Sequence, residues 1–343
     1  LQPRISVPAA ARRTTGSRTG SLASMKIAIV LNSRAGGLRT LHPGRAAEDV
    51  ARIFRDRGHA VRTEVHAGPA VVQAIARICL DRSCDTVIVG GGDGTVSAAA
   101  AAAAEHGITL GILPLGTMNL FARSLSTPLS MRAAAAALAD GRPVRVDMGE
   151  VNGRPFIHHV TLGLHPRIIR FRERLTYSSR AGKILAGVQA WWVVLRQPPR
   201  LNARIEANSD IAERSATAIL VSNNLLGEGH LPYADDLQQG QLGLYVTESA
   251  RWHDLIELAA RMSLGEFSHN PLLETWRADR IVISIPLQSV RASVDGEILP
   301  LQPPLRFSVR KGGLTVLQPR KAVPGPAAAP HGVAAKDGTA APG

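Results

Sequence analysis

The sequence predicts two folded halves, a parallel α/β sheet covered by helices on both faces and then a mostly antiparallel β-domain of sandwich or barrel type. Three observations carry that expectation. Strand-like and helix-like segments alternate between Lys26 and Gly141, and repeated β-α units of this length require crossover helices and a parallel sheet. One of these apolar strands, Thr86–Val89, runs straight into Gly90-Gly91-Gly92-Asp93-Gly94. Beyond Val146 the helices thin out and short apolar strands dominate, the pattern of an antiparallel β-domain.

The elements follow in order. Lys26–Leu31 is a short apolar strand that ends in Asn32-Ser33-Arg34-Ala35-Gly36-Gly37. Ala46, Ala47, Val50, Ile53 and Phe54 fall on one helical face at i, i+3 and i+4 spacing. Val61–Val65 reads as a strand, and Pro69 opens a helix running to about Arg82. After the glycine turn come the alanine run 98–104, the strand Thr109–Leu113 and a helix capped by Ser130 that stops at Gly141. In the second half Phe156–Leu162, Leu201–Ala207, Ala216–Ser222, Leu242–Thr247, Arg280–Ile285 and Leu305–Val309 read as strands, with helices near 180–196 and 252–263. Residues 1–24, rich in Ser, Thr, Arg and Pro, read as a disordered leader without an apolar core segment, and Met25 reads as the start. Residues 319–343, dominated by Ala, Pro and Gly, read as a disordered tail. The expected domains are therefore 25–146 and 147–318.

The formal net charge is +13. Four arginines and no acids occupy residues 1–24, yet the body between the two ends stays basic, which suits phosphate-bearing ligands or an anionic membrane. Nucleic acid is disfavoured, because aromatics are only 4% of the chain and no stacking or helix-turn-helix pattern appears. No run of 18 apolar residues exists, so no membrane-spanning helix is expected. Cys79 and Cys84 read as free thiols in a reducing compartment. The expected location is cytoplasmic, with peripheral attachment to membrane.

The glycine turn is the strongest chemical signal. Glycines let backbone approach a ligand closely, and successive N–H groups at a helix start form an anion nest. Gly91, Gly92, Gly94 and Thr95 are the phosphate-binding candidates. Asp93 would repel phosphate directly, so it reads as the partner of a Mg²⁺ ion or of water on it. Neither the Walker pattern nor GxGxxG fits these positions. A second loop, Pro114–Arg123, repeats the arrangement with Gly116, Thr117 and Asn119 at the end of the next strand. Ligands sit beyond the carboxyl ends of such strands, so the two loops should face one nucleotide.

GGDGT at 91–95 followed by PLGTMNLFAR at 114–123 resembles the catalytic domain of diacylglycerol, sphingosine and related bacterial lipid kinases. The Asn32–Gly36 loop is similar to that family's first-strand motif, and further similarity lies at Gly149–Arg154, Leu162–Leu164, Ser222–Asn224 and Val294–Glu297. The motifs run in order over roughly 25–318. This resemblance implies a phosphofructokinase-like nucleotide domain, a β-sandwich facing it, ATP and Mg²⁺ in the cleft, and transfer of the γ-phosphate to a lipid hydroxyl such as that of diacylglycerol. It also implies that Asp295 and Glu297 serve the acceptor hydroxyl. At i and i+2 of one strand the two would share a face, although Asp-Gly-Glu by itself reads as a hairpin turn.

Some positions depart from the family pattern. Leu120 replaces an acid of the second loop, Ser97 and Ala98 replace a polar or acidic pair, and Gln238, Gln239 and Gly243 replace a metal-holding segment, so that structural metal site is expected to be lost. His158, His159 and His165 gather near the domain junction. Trp191 and Trp192, flanked by basic residues, suggest either core packing or a patch on an anionic lipid surface; a homodimer is compatible with the sequence. Two other readings compete. A small-molecule kinase of the NAD-kinase kind would share GGDGT but not PLGTMNLFAR, and a non-catalytic lipid or nucleotide sensor would explain the missing acids but not the intact Asp295-Gly296-Glu297.

Overall fold

Four strands lie parallel in the spatial order β2-β1-β3-β4, and everything in the first half follows from that order. The computed structural model describes residues 24–167 and 197–319. Its first half contains β1 (Lys26–Asn32), α1 (Pro43–Arg55), β2 (Ala60–His66), α2 (Pro69–Leu80), β3 (Thr86–Gly91), α3 (Asp93–His106), β4 (Thr109–Pro114), α4 (Leu120–Ser124) and α5 (Met131–Ala139). β3 is buried along its whole length, as expected of a strand covered on both faces. Helices α1 and α5 close one face around Val50, Phe54 and Leu138. Helices α2 and α3 close the other around Ile75, Ile78, Ala99 and Ala103. The chain steps from β1 to β2 on one side and then to β3 on the other, so a crevice opens beyond the carboxyl ends of β1 and β3.

The second half contains β5 (Arg142–Val151), β6 (Arg154–Phe156), β7 (His159–Gly163), β8 (Leu201–Ala207), β9 (Asp210–Ala216), β10 (Ala218–Asn223), β11 (Leu242–Thr247), α6 (Trp252–Ser263), β12 (Glu274–Ala278), β13 (Arg280–Ser284), β14 (Val290–Val294), β15 (Glu297–Leu301) and β16 (Leu305–Gln318). An antiparallel sheet in the order β12-β11-β10-β7-β14-β15 faces strands β5, β16, β13 and β8 of the larger sheet. Phe156, Phe307, Ile219, Leu244, Ile281 and Ala292 fill the space between them. That arrangement is a β-sandwich, so the structure has the α/β-plus-sandwich architecture that the sequence predicts.

One strand serves both halves. β16 pairs with β13 and the end of β5 in the sandwich, then breaks register between Arg310 and Leu314, where Gly312 takes φ 58°. Past the break, Leu314–Gln318 pair with Arg142–Val146 and Val316 lies parallel to Leu110 of β4. The expected strand Leu305–Val309 is thus only the first part of a 14-residue strand, and its last residues return to the sheet of the first half.

Two other expectations need correction. Phe156–Leu162 is not one strand, because the chain leaves the ladder at Ile157 and His158, whose N–H groups turn to the Asp295 carboxylate at 2.9 Å each. Ser130 occupies the N-terminal cap position of α5 but its hydroxyl makes no capping bond. The helix expected near 180–196, the Trp191–Trp192 patch and the two terminal segments lie outside the described residues.

His159 opens β7, partly buried, and lines an interior cavity. Burial pushes its imidazole down from 6.5 to about 4, and the neighbouring His158 ring acts in the same sense. The unfolded chain therefore takes up a proton below about pH 6.5 that the folded chain refuses until about pH 4. Stability should be insensitive to this group above pH 6.5 and fall by roughly 2–3 kcal/mol as pH drops through that window. Urea unfolding at pH 7.5 and 4.5 checks this: His159→Gln should flatten the acid-side loss, and an unchanged slope would contradict it.

Candidate active site

The carboxyl ends of β1, β3 and β4 form the floor of the site. Asn32, last in β1, donates its side-chain amide to Thr95 Oγ1 (3.2 Å) and accepts the Arg34 N–H on its carbonyl (3.0 Å). The glycines here have separate reasons. A Cβ on Gly91 would lie 2.6 Å from Thr95 Cβ, and one on Gly116 would lie 2.6 Å from Gly92 Cα. The two glycine loops therefore touch, and the Leu115 N–H donates to the Gly91 carbonyl (3.1 Å) to hold them together. Gly94 differs: a Cβ there would meet no protein atom within 4 Å. Packing does not demand glycine at this position, and the residue opens onto a cleft.

Asp93 begins α3 and joins the second loop to the first. Its Oδ2 accepts the Asn119 N–H (3.1 Å) and its Oδ1 accepts the Leu120 N–H (2.7 Å), at the start of α4. Asn119 stands in the left-handed region at φ 52°, which Asn tolerates better than most residues. It also clamps its own loop, accepting the Gly116 N–H (2.8 Å) and donating to the Gly116 carbonyl (2.9 Å). Each Asp93 oxygen keeps a lone pair beyond these bonds, so the carboxylate can still face a cation.

The opposite wall comes from the sandwich. Asp295 (φ 48°) and Gly296 (φ 91°) make the tight turn between β14 and β15, with backbone suited to a two-residue hairpin. The expectation that Asp295 and Glu297 share one strand face therefore fails, because Asp295 is in the turn and Glu297 begins β15. Asp295 Oδ1 accepts the His158 and His159 N–H groups (2.9 and 3.1 Å), and Oδ2 accepts the Ile157 N–H (2.9 Å) and the Ser97 hydroxyl (2.6 Å). Four donors occupy about all the sites a carboxylate has. Glu297 is exposed and has no hydrogen-bond or ion-pair partner among the described residues.

Between these walls lies a cleft of about 1210 Å³. Gly92, Asp93, Gly94, Ser97, Gly116 and Thr117 line one side, and Arg154, Asp295, Gly296 and Glu297 line the other. Asn32, Gly91, Thr95 and Asn119 do not line it; they brace the residues that do. Three residues named in the sequence take part in ways the sequence did not indicate. Ser97 looked like a lost acid but bonds Asp295. His158, 3.8 Å from Asp93 Oδ1 through Nε2 and edge-on to Phe121, fills the angle between the two carboxylates. Arg154 follows the Asn152-Gly153 turn, a hairpin signal that was visible in the sequence.

The segment with missing acids is closed by direct bonds. Gln239 accepts the Leu225 N–H (2.9 Å) and donates its own N–H to Asn224 Oδ1 (3.2 Å). Buried Asp147 accepts the N–H groups of Gly240 (2.6 Å) and Gly312 (2.9 Å).

Comparison with known proteins agrees with this architecture. Residues 26–151 match the diacylglycerol kinase catalytic domain, and residues 174–318 match the YegS C-terminal NAD kinase beta sandwich-like domain. Similar proteins include the diacylglycerol kinase of Staphylococcus saprophyticus, 28% identical over 64% of this chain and 72% of that one. The diacylglycerol kinase of Staphylococcus carnosus is 27% identical over 67% of this chain and 75% of that one. A crystal structure of a diacylglycerol kinase from Bacillus anthracis superimposes with a TM-score of 0.63 at 18% identity, covering 85% of this chain and 96% of that one, a likeness that bears on the fold. With both domain types matched in order around a cleft walled by paired glycine loops, the chain belongs to the diacylglycerol kinase family of lipid kinases.

Proposed function

We propose that the cleft binds ATP with a divalent cation and transfers the γ-phosphate to the hydroxyl of diacylglycerol or a related membrane lipid. The observation that carries this reading is the pairing of two touching glycine loops on one wall with an unengaged carboxylate, Glu297, on the other. The first loop opens α3, whose N-terminal N–H groups favour phosphate oxygens. Glu297 stands on the acceptor side, where a carboxylate orients a hydroxyl and takes its proton as the oxygen bonds to the γ-phosphorus. The bond from that phosphorus to the bridging oxygen breaks, and ADP leaves. Asp295, its oxygens already filled, serves as a positioning residue.

The charge of the cleft supports a metal–nucleotide complex. Among the described residues Asp93, Glu105, Asp295 and Glu297 line it against a single cation, Arg154, a balance that repels a bare triphosphate. Mg²⁺ takes hard oxygen donors and is usually held by one or two carboxylates plus phosphate and water. Asp93 is the residue suited to hold it, and the ion would neutralise phosphate charge there. Among the described residues no three His, Cys, Asp or Glu side chains gather as a metal cage, which fits an ion arriving with its nucleotide.

A lipid acceptor has its own support. An apolar cavity of about 230 Å³ begins at His159 and Thr161 and continues between Leu164, Leu255, Leu258 and Met262. His159 also bonds Asp295, so space for hydrocarbon lies one residue from the hairpin that carries Glu297. No helix among the described residues is long and apolar enough to cross a membrane. A chain of net charge +13 is drawn to an anionic bilayer surface, so peripheral docking is the form of membrane attachment we propose.

Protein given γ-labelled ATP, Mg²⁺ and mixed-lipid vesicles should add one phosphate to a lipid, identified by mass. Glu297→Gln should cut that rate roughly 10²–10⁴-fold while MgATP affinity stays near wild type. Unlabelled lipid beside intact nucleotide binding would contradict a kinase and favour a binding protein.

Gly94 gives a second check. Leucine is a better helix former than glycine, and the Cβ it adds at this position would meet no protein atom within 4 Å. Gly94→Leu should therefore keep or raise the melting temperature while weakening MgATP binding by about tenfold or more, since backbone could no longer approach phosphate closely. Calorimetric titration that finds undiminished MgATP affinity would remove Gly94 from the nucleotide site.

A further inference from the structure

Among the described residues Arg154 is the only cationic one lining the cleft, and its backbone position is set by a well-anchored turn. It follows the two-residue turn made by Asn152 (φ 48°) and Gly153 (φ 79°). That turn is tied down on all sides: Asn152 donates its N–H to the Arg306 carbonyl (3.0 Å), accepts the Arg306 N–H (2.8 Å) and donates its side-chain amide to the Gln302 carbonyl (2.9 Å). β6 packs beside α3, so Arg154 stands across from the helix that begins with the glycine loop. Just past the end of β6, the N–H of Ile157 meets Asp295.

Four carboxylates line this cleft, yet Arg154 has no ion pair and no hydrogen bond among the described residues. Some arginines elsewhere pair with acids, as Arg77 does with Glu64, Arg214 with Glu274 and Arg261 with Glu257 and Glu266; among the described residues Arg154 does not, although it shares a cleft with acids. A guanidinium left unpaired in an acidic cleft is available to an anion that is not part of the protein. Its planar fork of donors matches two oxygens of a phosphate. A carboxylate ligand would suit the fork as well, but the touching glycine loops on the facing wall already favour phosphate.

We propose that Arg154 grips the phosphate chain of the nucleotide from the sandwich side, opposite the glycine loops. The assignment rests on the nucleotide reading of the cleft and adds a residue to it. Phosphate would then be held by backbone N–H groups of one domain and a guanidinium of the other, so that binding draws the two walls together.

Titration with MgADP and, separately, with adenosine tests this without any lipid turnover. Arg154→Gln should weaken MgADP at least about tenfold and leave adenosine unchanged, and Arg154→Lys should recover part of the loss, because charge survives without the fork. In the vesicle assay Arg154→Gln should lower kcat/KM for ATP by roughly 10²–10³-fold with the KM for lipid unchanged. Equal MgADP affinity in wild type and Arg154→Gln would overturn the proposal, as would a change confined to the KM for lipid. If wild type binds MgADP but phosphorylates no lipid, the kinase reading fails, while the ADP titration still decides Arg154.

Discussion

The Asp295 carboxylate is the interaction on which the rest of the site depends. It accepts three consecutive backbone N–H groups from residues 157–159 and the Ser97 hydroxyl of α3. Buried N–H groups need partners, and those of Ile157 and His158 leave the sheet ladder to find them on one side chain. That single arrangement breaks the strand between β6 and β7 and seats the β14–β15 turn against that break. It also joins the sandwich to the helix that carries Asp93 and Gly94. A hydrogen bond to a charged group is worth roughly twice a neutral one, so these bonds fix the geometry of a junction that also buries Ile157, Ala234 and Leu237 against Phe121 and Leu125.

From this junction follows a division of labour among acids that look alike in the sequence. Asp93 organises the second glycine loop through the Asn119 and Leu120 N–H groups. Asp295 organises the domain junction. Glu297, two residues on, is the carboxylate left with no such duty. The contact between Gly92 and Gly116 does for the loops what Asp295 does for the domains, bringing two chain segments close enough to serve one ligand. On the function proposed above, backbone N–H groups of the glycine loops would face phosphate on one wall and Glu297 would face the acceptor hydroxyl on the other.

Much of this was legible in the residues. The β-α alternation, the shift to short strands after Val146 and the glycine clusters at strand ends each reflect local rules of helix period, strand burial and turn conformation. Asp295-Gly296 read locally as a hairpin turn, and it is one; the expectation of a shared strand face for Asp295 and Glu297 failed because the turn takes Asp295 out of the strand. What escaped reading depends on contacts between residues distant in the chain. Ser97 lies 198 positions from Asp295, and nothing in its neighbours indicates that bond. The length of β16 was hidden by Lys311-Gly312-Gly313, which look like a strand end but form the irregular step that carries the strand from one sheet region to another. Arg154 was seen as part of a motif, but its lack of a partner appears only when four carboxylates surround the same cleft.

The separation of roles between Asp295 and Glu297 is best tested by amide hydrogen exchange over the segment 155–160. Asp295→Asn removes the charge that holds the Ile157, His158 and His159 N–H groups, so that segment should lose protection, with α3 around Ser97 loosening as well. Glu297→Gln should leave protection there as in wild type. Undiminished protection in Asp295→Asn, or equal loss in both variants, would contradict the account of Asp295 as the residue that builds the cleft.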